Sequence, residues 1–82
     1  MTDCIDLARL ERKGGKEELR VSARSYKSAL YAELRVWFRD GEGVWHPTSK
    51  GVTVRMSEAC DAARALEKAP FCIGPNGRLE AV

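Results

Sequence analysis

The side chains of this sequence that can do chemistry are cations and rings rather than nucleophiles and bases. Between Leu19 and Arg39 the chain carries Arg20, Arg24, Tyr26, Lys27, Arg35, Trp37 and Arg39. Guanidinium and ammonium groups track a phosphate backbone, and ring faces receive unpaired bases, so the combination suits a single-stranded polyanion. Their spacing matters as much as their type. Arg20, Arg24 and Tyr26 share one parity, as do Arg35, Trp37 and Arg39, and in an extended chain each set therefore points to one side. A plain solvent-facing strand seldom carries large rings such as Tyr31 and Trp37 among its charges.

No comparable set exists for catalysis. The one histidine, His46, would have to serve any Ser-His or Cys-His arrangement, and neither a nucleophile elbow nor a cysteine lies near it in sequence. Cys4, Cys60 and Cys72 with His46 lack the spacing of zinc ligands. Gly41-Glu42-Gly43 is too short for a dinucleotide fingerprint, and GVWHPTSKG lacks the phosphate-loop spacing. The expectation is a protein that is not an enzyme, with no catalytic residues, no metal and no cofactor. Three scattered cysteines argue against a disulfide framework and for reduced thiols.

The charge distribution agrees with the pattern of residue types. Net charge is only +2, but eleven Lys/Arg stand against six Asp/Glu between Arg9 and Arg55, while the flanks hold three against six. The excess of cations thus falls on the stretch that carries the rings, which attracts polyanions. Composition is that of a soluble protein, 44% hydrophobic and 32% charged. No apolar run reaches the ~20 residues of a membrane span, and MTDCIDLARL lacks the pattern of a signal peptide. The expected location is cytoplasmic and nucleoid-associated, or nuclear in a eukaryote.

The elements that must position these groups can be read from periodicity. Ile5 to Lys13 alternates loosely, although its Leu, Ala, Glu and Arg also suit a helix. Gly14-Gly15 ends it with a hairpin signal. Leu19 to Tyr26 alternates cleanly, with Leu19, Val21 and Ala23 opposite Arg20, Ser22, Arg24 and Tyr26, and Lys27-Ser28 is a turn. Leu30 to Arg39 is the clearest strand: Leu30, Ala32, Leu34, Val36 and Phe38 form one face, and Tyr31, Glu33, Arg35, Trp37 and Arg39 the other. Asp40 to Gly43 is a loop. Pro47 limits pairing in the segment from Trp45 to Gly51, and Val52 to Met56 is the last strand. Ser57 then reads as a helix N-cap and Pro70 as the stop. The tail from Pro70 holds two turn signals, Gly74-Pro75 and Asn76-Gly77, which fit either a small hairpin or a frayed end. The expected division is a domain over residues 1–69 and a tail over 70–82. A chain of 82 residues buries a small core, which favours oligomerisation.

In this order the pieces resemble the transcriptional coactivator family of the positive-cofactor-four type. The resemblance covers about Glu17 to Ala69 and rests on Tyr26-Lys27, Arg35-Val36-Trp37-Phe38, Asp40-Gly41-Glu42-Gly43 and Pro47-Thr48-Ser49-Lys50-Gly51. It implies an α+β fold: a curved four-stranded antiparallel sheet followed by one C-terminal helix, assembled as a homodimer. It implies sequence-nonspecific binding of single-stranded DNA, in transcription or in replication and repair, and the chain is closer to bacterial and phage members. By position, Tyr26 matches the stacking aromatic and Lys27 the cation after it. Arg24 and Arg35 match strand cations, Lys50 the lysine of the Pro-x-x-Lys-Gly segment, and His46 a site that is often basic. Strict alternation favours Trp37 as the second stacking ring, and the alignment favours Phe38. Ala29 and Ser49 replace cations common in the family. The predicted nucleic-acid-binding set is Arg20, Arg24, Tyr26, Lys27, Arg35, Trp37, Phe38, Arg39, His46 and Lys50. RNA in place of DNA, and a protein-interaction module that engages the transcription machinery, are the alternatives.

Overall fold

The computed structural model describes residues 4–80. Four strands, β1 (Cys4–Arg12), β2 (Glu17–Tyr26), β3 (Ala29–Arg39) and β4 (Trp45–Arg55), run antiparallel in their sequence order, and one helix, α1 (Met56–Lys68), follows. This is the α+β architecture expected from the sequence. The loosely alternating first run is strand, not helix, because it can pair along its length with β2.

Short connections set the register. Lys27 and Ser28 form the β2–β3 turn with φ of 48° and 65°. Two successive left-handed residues match the twist of a two-residue hairpin, although asparagine and glycine adopt them at lower cost. In the β3–β4 loop, the Asp40 carboxylate accepts the N–H groups of Glu42 (2.9 Å) and Val44 (3.0 Å), a local turn that aspartate favours.

The β2–β3 register places Arg20 opposite Arg35, Ser22 opposite Glu33 and Arg24 opposite Tyr31. Leu19–Val36, Val21–Leu34 and Ala23–Ala32 pair on the other face. The sheet therefore has one polar, aromatic face and one apolar face, as the alternation predicts.

β4 departs from the expected outline. It is a single strand from Trp45, and Pro47 lies within it opposite Trp37. An edge strand tolerates proline because one row of its backbone groups needs no partner. Between the pairs Arg35–Gly51 and Trp37–Pro47, three β4 residues (Thr48, Ser49 and Lys50) face Val36 alone. Thr48 stabilises this bulge: its hydroxyl donates to the Val36 carbonyl (2.6 Å) and accepts the Lys50 N–H (3.1 Å).

The helix begins at Met56, ahead of the expected Ser57 cap. The Glu58 carboxylate accepts the Arg55 N–H at 3.1 Å, so the acid three residues into the helix satisfies the entry. Among the described residues, the α1 backbone lies near β3 and β4, and Met56 at its start lines an apolar pocket with Ile5, Ala23 and Leu30. Beyond it, Ala69–Cys72 form a short 3-10 turn, and Ile73 bridges Leu79 antiparallel.

The result is a slab of 47 × 37 × 18 Å with a radius of gyration of 15.4 Å. A globular chain of this length has about 12 Å. Among the described residues Val36 is the sole buried hydrophobic side chain, and Ile5, Leu7, Leu10, Leu30, Val52 and Leu66 are exposed.

Candidate nucleic-acid interface

The polar face is organised around an acid. Glu33, only 4% exposed, accepts a hydrogen bond from Arg24 Nη1 (2.7 Å) on one carboxylate oxygen and from Arg35 Nε on the other. Burial pushes its carboxyl pKa up, but the hydrogen bonds from Arg35 and Arg24 outweigh this and hold it below the ordinary value. The same contact raises the pKa of the Arg24 guanidinium. Arg35 also donates through Nη1 to the Thr48 carbonyl in the β4 bulge (2.8 Å).

The bulge brings the β4 backbone close to Arg35 because position 51 is glycine. A Cβ there would lie 2.7 Å from the Leu34 carbonyl oxygen and 2.9 Å from the Arg35 guanidinium carbon. Gly51 thus lets the side chain of Arg35 lie across β4.

Two open grooves meet at this cluster. One, about 300 Å³, is lined by Arg24, Ser25, Tyr26, Tyr31, Glu33 and Thr53. The other, about 460 Å³, is lined by Arg24, Glu33, Arg35, Trp37, Pro47, Thr48 and Thr53. Together they make a path across the polar face, from the β2–β3 turn to the bulge. Tyr26 stands at one end, 64% exposed, with the Lys27 ammonium 5.4 Å from its ring centroid.

Trp37 stands at the other end, and its ring is already engaged. The Arg20 guanidinium lies 4.1 Å from the Trp37 centroid and 5.4 Å from that of Trp45, and its Nε donates to Glu18 at 2.9 Å. The Arg20 side chain is 11% exposed, against a much more open Arg24. Arg39 flanks the other tryptophan, with its guanidinium carbon 5.6 Å from the Trp45 centroid.

Of the predicted set, the structure brings Arg24, Tyr26, Arg35 and Trp37 onto the groove. Arg20 shares their face but is covered, and Arg39 lies at the end of the sheet. Lys27 is in the turn beside Tyr26. Lys50 is exposed in the β4 bulge. Phe38 and His46 lie together on the opposite face, stacked with centroids 5.1 Å apart. His46 Nε2 is 2.7 Å from an Asp40 carboxylate oxygen. This contact, with the N–H of Val44, keeps the Asp40 pKa below its usual value.

The set omitted Glu33, Tyr31, Thr48 and Thr53. Tyr31 and Glu33 carry the parity of Arg35, so alternation places them on this face. Nothing in the sequence distinguishes an acid that is buried between two arginines from one in solvent. Among the described residues, no group of three or more His, Cys, Asp or Glu could hold a metal ion. No described helix is long and apolar enough to cross a membrane.

An open antiparallel meander closed by one terminal helix, with a groove of arginines and rings on one face, defines a recognisable class of small sheet proteins. A family model for transcriptional coactivator p15 (PC4) matches residues 14–61. The chain belongs to the PC4 family. It is similar to a PC4 homologue from Burkholderia pseudomallei. In that protein's orthorhombic crystal form the TM-score is 0.70, at 25% identity, covering 79% of this chain and 86% of that one. In its tetragonal form the TM-score is 0.72, at 24% identity, covering 83% and 98%. A bacteriophage T5 homologue of the eukaryotic coactivator, implicated in recombination-dependent DNA replication, shares the fold. Its TM-score is 0.59, at 20% identity, covering 84% of this chain and 76% of that one. No curated protein sequence matches significantly.

Proposed function

We propose that the chain binds single-stranded DNA without sequence preference, as a homodimer, in transcription or in replication and repair. The observation that carries this function is the groove joining Tyr26, Arg24, Arg35 and Trp37 on one face. Guanidinium donors that the protein leaves unspent there can meet phosphates, and Tyr26 offers an exposed ring to a base. Both contacts are indifferent to base identity. The predicted set of Arg20, Arg24, Tyr26, Lys27, Arg35, Trp37, Phe38, Arg39, His46 and Lys50 divides accordingly. Arg24, Lys27, Arg35 and Lys50 take the phosphates, Tyr26 stacks, and Trp37 stacks through the ring face turned away from Arg20. Binding, not catalysis, is the activity assigned, and it resides in residues 1–69, with 70–82 as a tail.

The bare apolar face supports the dimer. A sheet face rich in Leu, Ile and Val needs a second layer, and α1 covers only part of β3 and β4. A second copy of the face would supply that layer.

Fluorescence anisotropy of a labelled ~20-nucleotide oligo-dT at two salt concentrations tests the proposal, with duplex as competitor. Salt-dependent binding that duplex does not compete away is the expected result. Absence of binding at low salt would overturn it. A protein-docking function is favoured by a different observation: Phe71, Ile73 and Leu79 of the tail are exposed, Leu79 to 86%. A docking module would keep its partner when Arg24 and Lys50 are replaced. Matched DNA and RNA oligomers decide between the two nucleic acids.

A further inference from the structure

We propose that Glu33 is a positioning residue that aims Arg24 and Arg35 at neighbouring phosphates, so that this acid strengthens the binding of a polyanion. This role rests on the single-strand function proposed above.

An acid in the floor of an anion-binding groove poses a physical problem. By charge alone Glu33 opposes phosphate, and removing it should tighten binding. The geometry points the other way. Glu33 is nearly sealed from solvent and lies where the two grooves meet, and each carboxylate oxygen receives one arginine. It cannot meet the ligand from beneath these guanidinium groups, but it can hold them.

What each arginine keeps free is the second part of the case. Arg35 spends Nε on Glu33 and Nη1 on the Thr48 carbonyl, which leaves Nη2 without a protein partner among the described residues. Arg24 spends Nη1 on Glu33, which leaves Nη2 and Nε. Both guanidinium groups are thus fixed with donors unspent. Long side chains held in one geometry lose less conformational freedom on binding than mobile ones, and arginine's planar fork gains most from being held. Two arginines with one acid keep a net positive charge at the centre of the path.

The other groups that face Glu33 are neutral. Ser22 pairs opposite it from β2 and Thr53 from β4. Arg24 and Arg35 are its charged neighbours, so any strengthening of binding by Glu33 passes through them.

Glu33→Gln preserves size and removes the charge. The measurement is oligo-dT anisotropy across a salt series for the wild type, Glu33→Gln and Glu33→Asp, with circular dichroism to follow folding. If Glu33 aims the arginines, Glu33→Gln binds about tenfold more weakly, the loss of roughly one charge-assisted contact. Its salt slope falls by about 0.7, the single-strand increment per phosphate contact. Glu33→Asp keeps the charge but shortens the reach, and it lies between. Tighter binding by Glu33→Gln, with a steeper slope, would show an acid that merely opposes the ligand and would overturn the proposal.

A second comparison holds even where Glu33→Gln folds poorly. In the Arg24→Ala/Arg35→Ala background the acid has nothing left to aim. Replacing Glu33 there should then leave binding unchanged or tighten it. Equal weakening in both backgrounds would mean a general structural role and would sink the proposal. Failure of the wild type to bind at low salt would overturn the single-strand function together with this role. A wild type that binds beside an unweakened Glu33→Gln overturns this role alone.

Discussion

The guanidinium of Arg20 lies over the ring of Trp37, 4.1 Å from its centroid, and Glu18 fixes it there through Nε. A planar cation thus occupies a ring surface that a base could take. It also means that two arginines on the same face have different duties. Arg20 is spent within the protein, whereas Arg24 keeps donors toward the groove.

Replacement of Arg20 should therefore act on the ring and leave the phosphates alone. Arg20→Ala is expected to lose about 0.5–2 kcal/mol of stability through the cation–π contact. It should leave the salt slope of oligo-dT binding unchanged, whereas Lys50→Ala lowers the slope by about 0.7. Tryptophan emission should shift to the red as Trp37 becomes wetter. A slope that fell equally in both variants would assign Arg20 to phosphate after all.

The exposed ring at the turn should matter at every salt concentration. Tyr26→Ala is expected to weaken oligo-dT binding by about 1–3 kcal/mol, the worth of one stacked base. Phe38→Ala, on the opposite face against His46, should leave affinity per dimer nearly unchanged and lower thermal stability. Reversal of the two phenotypes in paired titrations and melts would make Phe38 the stacking ring.

Gly51 gives a purely steric test. In Gly51→Ala the new Cβ meets the backbone carbonyl of Leu34, which cannot swing away as a side chain end could. The β4 backbone must shift, at roughly 1–3 kcal/mol of stability. The shift also disturbs the Arg35–Thr48 hydrogen bond. Thermal melts and binding should both decline, and a fully stable Gly51→Ala would mean that the bulge is looser than described.

Acid should weaken the fold through Glu33. Its pKa is lower in the folded protein than in the unfolded chain, because the hydrogen bonds from Arg35 and Arg24 overcome the effect of burial. The stability this contributes is fully present above the unfolded carboxyl value of about 4.3. It is lost as pH falls through the lower folded value. Chemical denaturation between about pH 6 and pH 3 should show a steeper decline for the wild type than for Glu33→Gln.

The uncovered apolar face predicts the mass in solution. Light scattering should give twice the 9.1 kDa of one chain. Leu30→Glu, on the exposed apolar face, should shift the population to monomer and lower stability. A monomeric wild type at micromolar concentration would leave the face needing another cover.

Much of the fold was legible in the residues. Period-two alternation identified β2 and β3 and divided their side chains between two faces, because a strand exposes successive residues on opposite sides by geometry alone. Pro70 stopped the helix, since it has no N–H to donate. β1 was ambiguous because Leu, Ala, Glu and Arg suit a helix as well, and only its partner, β2, decided it. The helix starts two residues ahead of the position that a Ser57 cap implies, because Arg55 is the N-cap and Glu58 satisfies the entry.

The partnerships of the site were decided by tertiary structure. A side chain's neighbour across the sheet depends on register, and register depends on turn length and bulges that lie elsewhere in the chain. The insertion of Thr48, Ser49 and Lys50 opposite Val36 sets where Gly51 falls, and so where Arg35 can lie. The β2–β3 turn sets Arg20 within reach of Trp37. The sequence by itself determined that cations and rings share a face. Which cation is buried on a ring, which are held by Glu33, and which remain free for a ligand follows from strand pairing, because those contacts join residues far apart in the chain.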